Sequence, residues 1–217
     1  MNGNVTFACL YRTGGDYNAG HVIALQRMVH MHTTHIVDFV CVSDVKVDGI
    51  TCAPLSRSYP GKWSMAELFK LKGPVIVTGL DTIIVKSIDN LIDLAFTSAE
   101  NDFWMIRSFA NRTKYASGIM VWNGDWSRLW SEYDAEYDSV RRRYKREQRY
   151  TTDQLASWGV SIRALNDVIP GIYSYKHDCR RALPKDARIV LFHGNPRPHQ
   201  VTRGWVSKKY PYNGSEA

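Results

Sequence analysis

The chain counts 217 residues, 44% of them hydrophobic and 23% charged, which suits one folded unit with a sizeable core and excludes a disordered or collagen-like polymer. It holds no run of about eighteen apolar residues, and its N-terminus lacks a basic stretch followed by an apolar one, so the sequence predicts no membrane span, no secretory signal and a cytoplasmic location. Charge is uneven: residues 1–100 carry 8 basic and 9 acidic side chains and residues 101–217 carry 20 and 12, for a net +7, which suits a polyanionic partner, an acidic membrane surface or a solvated basic face.

The first apolar run, residues 5–11 (VTFACLY), reads as a buried strand stopped by the turn residues 12–16. Val22, Leu25, Met28 and Val29 then keep helical spacing, and residues 35–43 (HIVDFVCVS) restore a strand. Ser64 and Glu67 have capping-box spacing and open a predicted helix with Met65, Leu68, Phe69 and Leu71 on its apolar face, ended by Gly73-Pro74. A strand over 75–80 (VIVTGL) follows, and then two strands, 102–108 and 117–123, spaced to pair as a hairpin. After Gly124, the spacing of Trp126, Leu129, Trp130, Tyr133 and Tyr137 predicts a helix that runs on into the basic residues 141–149. A short helix from near Thr151, an irregular stretch and a strand over 187–194 (ARIVLFHG) complete the chain. The four cysteines stand singly, with no Cys-x-x-Cys, so neither a zinc knuckle nor a disulfide framework is expected, and Cys9 and Cys41 read as small hydrophobes. Strands alternating with helices argue for an α/β sandwich, whose ligands sit beyond the carboxyl ends of the strands.

Three places carry chemistry there. Asp81 follows the 75–80 strand directly, where it suits either a hard divalent cation or a turn whose backbone donors it satisfies. In LFHGNPRPHQ, His193, Gly194, Arg197 and His199 combine a possible metal ligand, a close backbone approach and a phosphate-gripping guanidinium, or else form a proline-rich surface loop. Thr151-Thr152-Asp153-Gln154 places a carboxylate and an amide at a predicted helix start, facing a cleft or capping the helix. The glycine-rich stretch 13–20 lacks the GxGxxG spacing and signals a dinucleotide only weakly.

The ordered series YRTGGDYNAGHV, KWSMAELF, VIVTGLDTIIVKSIDNL, ASGIMVWN, TTDQ and FHGNPRPH resembles the GT-A fold glycosyltransferases, the branch that contains glycogenin-like and bacterial lipooligosaccharide hexosyltransferases. The resemblance implies a Rossmann-like α/β/α sandwich with a mixed, mostly parallel sheet, as one domain over 1–217. Its 1–123 half would bind the nucleotide sugar, and its basic 124–217 half would face the acceptor and supply the metal-ligand histidine. It implies transfer of a hexosyl unit from a UDP-sugar with retention of configuration, with Asp81 as the last carboxylate of a DxD motif and His193 as the second ligand of Mn²⁺ or Mg²⁺. By the same resemblance Ala8, Tyr11, Arg12, Tyr17, Leu80 and Gly194 contact the donor, with Tyr11, Arg12 and Tyr17 at its base and ribose. Ser117, Gly118, Asp153 and Gln154 line the sugar site, and Arg197 meets the diphosphate. Asp153 or Gln154 would orient the sugar, neither as a covalent nucleophile. The chain departs from the family pattern at Gly79 (first Asp of DxD), Met65 (a basic residue) and Ala116 (Asn). Gly79 also opens the alternative of a nucleotide-sugar or polyanion-binding module without turnover.

For the acceptor, Arg141, Arg142, Arg143, Lys145, Arg146 and Arg149 with Tyr144 and Tyr150 interleaved suit a polyanion, either hydroxymethylated DNA of the phage type or an anionic, lipid-linked saccharide, or a solvated helix face. The corresponding location is a bacterial cytoplasm or that of a virus-infected host.

Overall fold

Strand β1 (Val5–Tyr11) is the hub of the fold. The computed structural model describes residues 4–212. After β1 come α1 (Ala19–Met31), β2 (Val37–Ser43), β3 (Thr51–Pro54), β4 (Val75–Thr78), β5 (Thr82–Ile84), α2 (Asp89–Thr97), β6 (Phe103–Arg107) and β7 (Tyr115–Trp122). The chain continues through α3 (Ser127–Ala135), α4 (Tyr137–Arg143), α5 (Glu147–Ser157), β8 (Ile162–Ala164), α6 (Leu165–Val168), β9 (Ile172–Ser174), β10 (Ile189–Leu191) and α7 (Val206–Lys209).

Seven strands form one sheet in the order β3-β2-β1-β4-β7-β6-β8. β1 pairs in parallel with β2 from Val5↔Val37 to Tyr11↔Ser43, and with β4 on its other side. Only β7 runs against its neighbours, antiparallel to both β4 and β6. All four residues of β4 are buried, as a central strand covered on both faces requires. One face packs on α1, α2 and a second sheet of order β5-β10-β9, through Val22, Leu25, Met28 and Ile92 among others. The opposite face packs on the 61–70 segment, α3 and α5, through Leu68, Phe69, Trp122, Tyr133 and Leu155. The result is the expected three-layer α/β/α sandwich with a mixed, mostly parallel sheet. Cys9 and Cys41 lie opposite each other on β1 and β2, buried and unbridged. Among the described residues no helix is long and apolar enough to cross a membrane.

Three local expectations are corrected. The segment Gly61–Lys70 is 3₁₀ rather than α-helical, and Glu67 does not cap Ser64. Its buried carboxylate accepts instead from the backbone N–H groups of Ser56 (2.7 Å) and Arg57 (2.9 Å) and from Lys70 (3.0 Å), so anchoring the 56–57 loop overrides local spacing. The long helix expected after Gly124 is broken into α3, α4 and α5. The breaks let Tyr137 stack on Tyr59 (ring centroids 3.6 Å apart) and bring Tyr150 back against Tyr133 (5.4 Å), contacts that one straight helix of that length would carry apart. Thr151–Gln154 therefore lies inside α5, not at a helix start, and the Thr151 hydroxyl donates back to Glu147 O (3.2 Å). Strands β3, β5, β8 and β9, of three or four residues, are too short for periodicity to reveal.

Candidate functional site

The strand order reverses between β1 and β4, one leading outward to β2 and β3 and the other toward β7, which opens a crevice at their carboxyl ends. Beside it, β10 runs antiparallel to β5 with Leu191 opposite Thr82, and the Phe192 N–H donates to Asp81 O at 2.8 Å. Residues far apart in sequence, Asp81 and the 193–199 loop, thus leave their strands side by side.

Asp81 bends back over Gly79: a Cβ on Gly79 would lie 2.5 Å from Asp81 Oδ1. Its other oxygen, Oδ2, lies 3.6 Å from Arg197 Nη1. Arg197 is held on two further sides, donating through Nε (3.0 Å) and Nη2 (2.9 Å) to Asp16 Oδ2 and lying 5.4 Å above the Tyr17 ring. Burial pushes the Asp81 carboxyl up to about 6, with the Arg197 cation pulling the other way. The Tyr17 hydroxyl is buried with no hydrogen-bond partner among the described residues, and burial raises its phenol.

His193 follows β10, but its Nε2 is engaged with Ser174 Oγ at 2.7 Å, and its ring is stacked against Phe109 (5.8 Å) and His177 (5.6 Å). Burial, then the cation of Lys176, lower its basicity. Gly194 has φ 84°, and a Cβ there would lie 3.2 Å from Lys176 Nζ, so the Lys176 ammonium sits against this loop. His199 Nδ1 meets His21 Nε2 at 3.0 Å, tying the loop to α1, and burial with the neighbouring His199 pushes His21 down to about 4.

The other expected residues divide. Ser117 and Gly118 stand at the start of β7, where the Ser117 hydroxyl donates to Glu147 Oε1 (2.9 Å). Glu147 Oε2 and the Tyr133 hydroxyl are buried without partners among the described residues. They line a cavity of about 10 Å³ together with Met65, Ser117 and Thr151, roughly the room of one water. Gly118 is needed for close packing, since a Cβ would approach Ile106 Cδ1 to 3.1 Å. Asp153 and Gln154 do not join this group: Asp153 pairs with Arg149 (3.0 Å) and the Gln154 amide donates to Glu132. The α5 side chain at Ser117 is Glu147, one turn earlier than the TTDQ run and with no spacing signal of its own. Ala8 (0% exposed), Tyr11 (7%) and Leu80 (5%) are buried in the core. Arg12 lies at its rim, donating to Ser64 Oγ (3.2 Å). Arg141, Arg142, Arg143, Lys145, Arg146 and Arg149 are all exposed, along the end of α4, the link that follows and the first turn of α5. Arg143 lies over Tyr144 (5.3 Å) and Arg141 over Tyr137 (5.6 Å).

No family model and no curated protein matches the chain. Solved structures do. The glycosyltransferase GlyE of Streptococcus pneumoniae superimposes with a TM-score of 0.68 at 12% identity, over 97% of this chain and 60% of that one. The galactosyltransferase LgtC, in complex with donor and acceptor sugar analogs, gives 0.63 at 12% identity, over 97% and 95%. Mouse xyloside xylosyltransferase 1 gives 0.53 at 10% identity, over 89% and 98%. The chain has the GT-A glycosyltransferase fold. It spans about three-fifths of GlyE and about half (52%) of the bifunctional glycosyltransferase WbbM, to which it is also similar.

The GT-A resemblance implies a divalent cation between Asp81 and His193, and the side chains present are a poor donor set for one. A hard cation takes about six ligands, mostly oxygens, of which phosphates and waters can supply several. Position 79 offers none, one Asp81 oxygen is folded onto Gly79, the other faces a guanidinium, and His193 Nε2 is committed to Ser174. Among the described residues no three His, Cys, Asp or Glu side chains converge as ligands. Asp81 and His193 are neighbours through their backbones, and in this structure their side chains face Arg197 and Ser174.

Proposed function

We propose that this protein is a nucleotide-sugar glycosyltransferase that moves a hexosyl unit from a UDP-sugar to an acceptor hydroxyl. The observation that carries the reading is a GT-A fold with a guanidinium, that of Arg197, fixed between Asp16 and Asp81 beyond the carboxyl ends of β1 and β4. In the reaction the bond from the anomeric carbon to the β-phosphate oxygen breaks and its electron pair leaves with UDP. The acceptor oxygen bonds to that carbon, and its proton passes to a phosphate oxygen of the departing UDP. Charge grows on the diphosphate as the bond opens, and a preorganised cation lowers that barrier. Arg12 and Tyr17 border the nucleotide end, and Ser117, oriented by Glu147, borders the sugar. Retention of configuration belongs to the same reading and rests on the resemblance.

The half over 1–123 supplies the donor residues Tyr17, Asp81 and Ser117, and the half over 124–217 supplies Arg197 and the exposed basic block. That block supports an anionic acceptor, a charged saccharide or hydroxymethylated DNA. In this reading the protein works in the cytoplasm, where its donor is made.

The test is release of free UDP from a panel of UDP-sugars, with and without acceptors. Turnover that Arg197→Ala removes supports the transferase. Gly79 favours a second reading, a binding module, which predicts saturable UDP binding and no release from any sugar.

A further inference from the structure

We propose that in this chain the Arg197 guanidinium, seconded by the Lys176 ammonium, fills the place between Asp81 and the donor diphosphate that a divalent cation would take, so that donor binding is independent of added metal. This rests on the nucleotide-sugar reading and goes further, because it assigns the counter-charge to side chains.

Four observations converge. Arg197 is preorganised: Asp16 holds Nε and Nη2, the Tyr17 ring lies beneath it, its backbone N–H donates to Gln200 Oε1 (2.8 Å), and prolines flank it on both sides. A guanidinium held in this way grips two phosphate oxygens at once with little further loss of side-chain freedom. Second, Nη1 already lies 3.6 Å from Asp81 Oδ2, so the carboxylate has its cation before any ligand arrives. Third, position 79 supplies no second carboxylate, and the Asp81 side chain occupies the space beside it, its Oδ1 standing 2.5 Å from where a Cβ at Gly79 would lie. Fourth, Lys176 Nζ lies against Gly194 and makes no ion pair among the described residues. It brings to the loop a positive charge with no carboxylate partner, beside an Arg197 whose own charge is paired with Asp16.

Calorimetric titration of the whole chain with UDP, once in EDTA and once in Mn²⁺, tests the inference. The expected result is the same dissociation constant within about twofold in both. Arg197→Gln should weaken UDP by about tenfold or more and Lys176→Gln by a smaller factor, and Mn²⁺ should restore neither. Electron paramagnetic resonance of Mn²⁺ mixed with protein and no nucleotide should show only the free-ion spectrum. UDP binding that vanishes in EDTA and returns with Mn²⁺ would overturn the inference and leave the nucleotide-sugar reading standing. Absence of UDP binding in both conditions, by a protein whose near-ultraviolet dichroism shows a packed core, would remove that reading itself and the inference with it.

Discussion

The Ser117 hydroxyl donates to Glu147 Oε1 across 2.9 Å, joining the start of β7 to the first turn of α5 at the edge of the crevice. Glu147 is 7% exposed, and its second oxygen has no partner among the described residues. Glu147→Ala strands the Ser117 hydroxyl and empties a polar pocket, at a cost of about 1–3 kcal/mol in urea unfolding. In the proposed reaction it should raise KM for the UDP-sugar while leaving the affinity for UDP alone unchanged, because that reading puts Ser117 at the sugar and not at the diphosphate. Equal losses for both ligands would count against this placement.

Gly79→Asp restores the carboxylate that the GT-A pattern carries at this position. Its Cβ collides with Asp81 Oδ1, so the Asp81 side chain must swing away from Arg197. The expected outcome is a variant whose UDP affinity improves by about tenfold on adding Mn²⁺, where the parent protein shows no such response. A variant that ignores Mn²⁺ as the parent does would mean that the clash is relieved without moving Asp81.

Asp81 makes stability depend on pH in the sense opposite to an ordinary salt-bridged carboxylate. Its pKa is raised by folding from 3.8 to about 6, chiefly by burial. Between those values the folded chain holds a proton that the unfolded chain has released, so this group's contribution falls as pH rises and reaches its full cost above about 6. Asp81→Asn removes the penalty. The urea midpoint of the variant should gain on the parent between pH 4 and pH 7 and stay level above that, and a difference independent of pH would contradict the burial argument.

The basic block from Arg141 to Arg149 is exposed and lies apart from the Arg197 loop in the chain. Replacing Arg141, Arg142 and Arg143 together by Ala should leave UDP binding unchanged and weaken an anionic acceptor. With duplex DNA as the probe, log affinity should fall with log salt by about 0.9 per phosphate neutralised. A flat salt response with DNA, alongside retained binding of a charged saccharide, would select the saccharide.

Much of the frame is legible in the chain itself. β1 and β4 are almost continuous apolar runs because central parallel strands are covered on both faces, β2 is apolar from Phe39 to Val42, and the β6–β7 hairpin announces itself by two apolar runs around a polar turn. The breaks between α3, α4 and α5 are not legible, because the stacking of Tyr59 on Tyr137 and the edge-to-face contact of Tyr133 with Tyr150 are long-range decisions that helical periodicity does not record. The same break moves Asp153 and Gln154 out to Arg149 and Glu132 and turns Glu147 toward Ser117.

Residue order alone thus determined the α/β alternation, the carboxyl-edge position of Asp81 and Arg197, and the concentration of positive charge in the second half, since each follows from local patterning. Tertiary structure decided which side chains meet: Asp81 with Arg197 and not with His193, Ser117 with Glu147 and not with Asp153. Local sequence sets backbone direction and burial, whereas a side chain's partner depends on rotamer, register and the competing groups that other strands bring within a few ångströms.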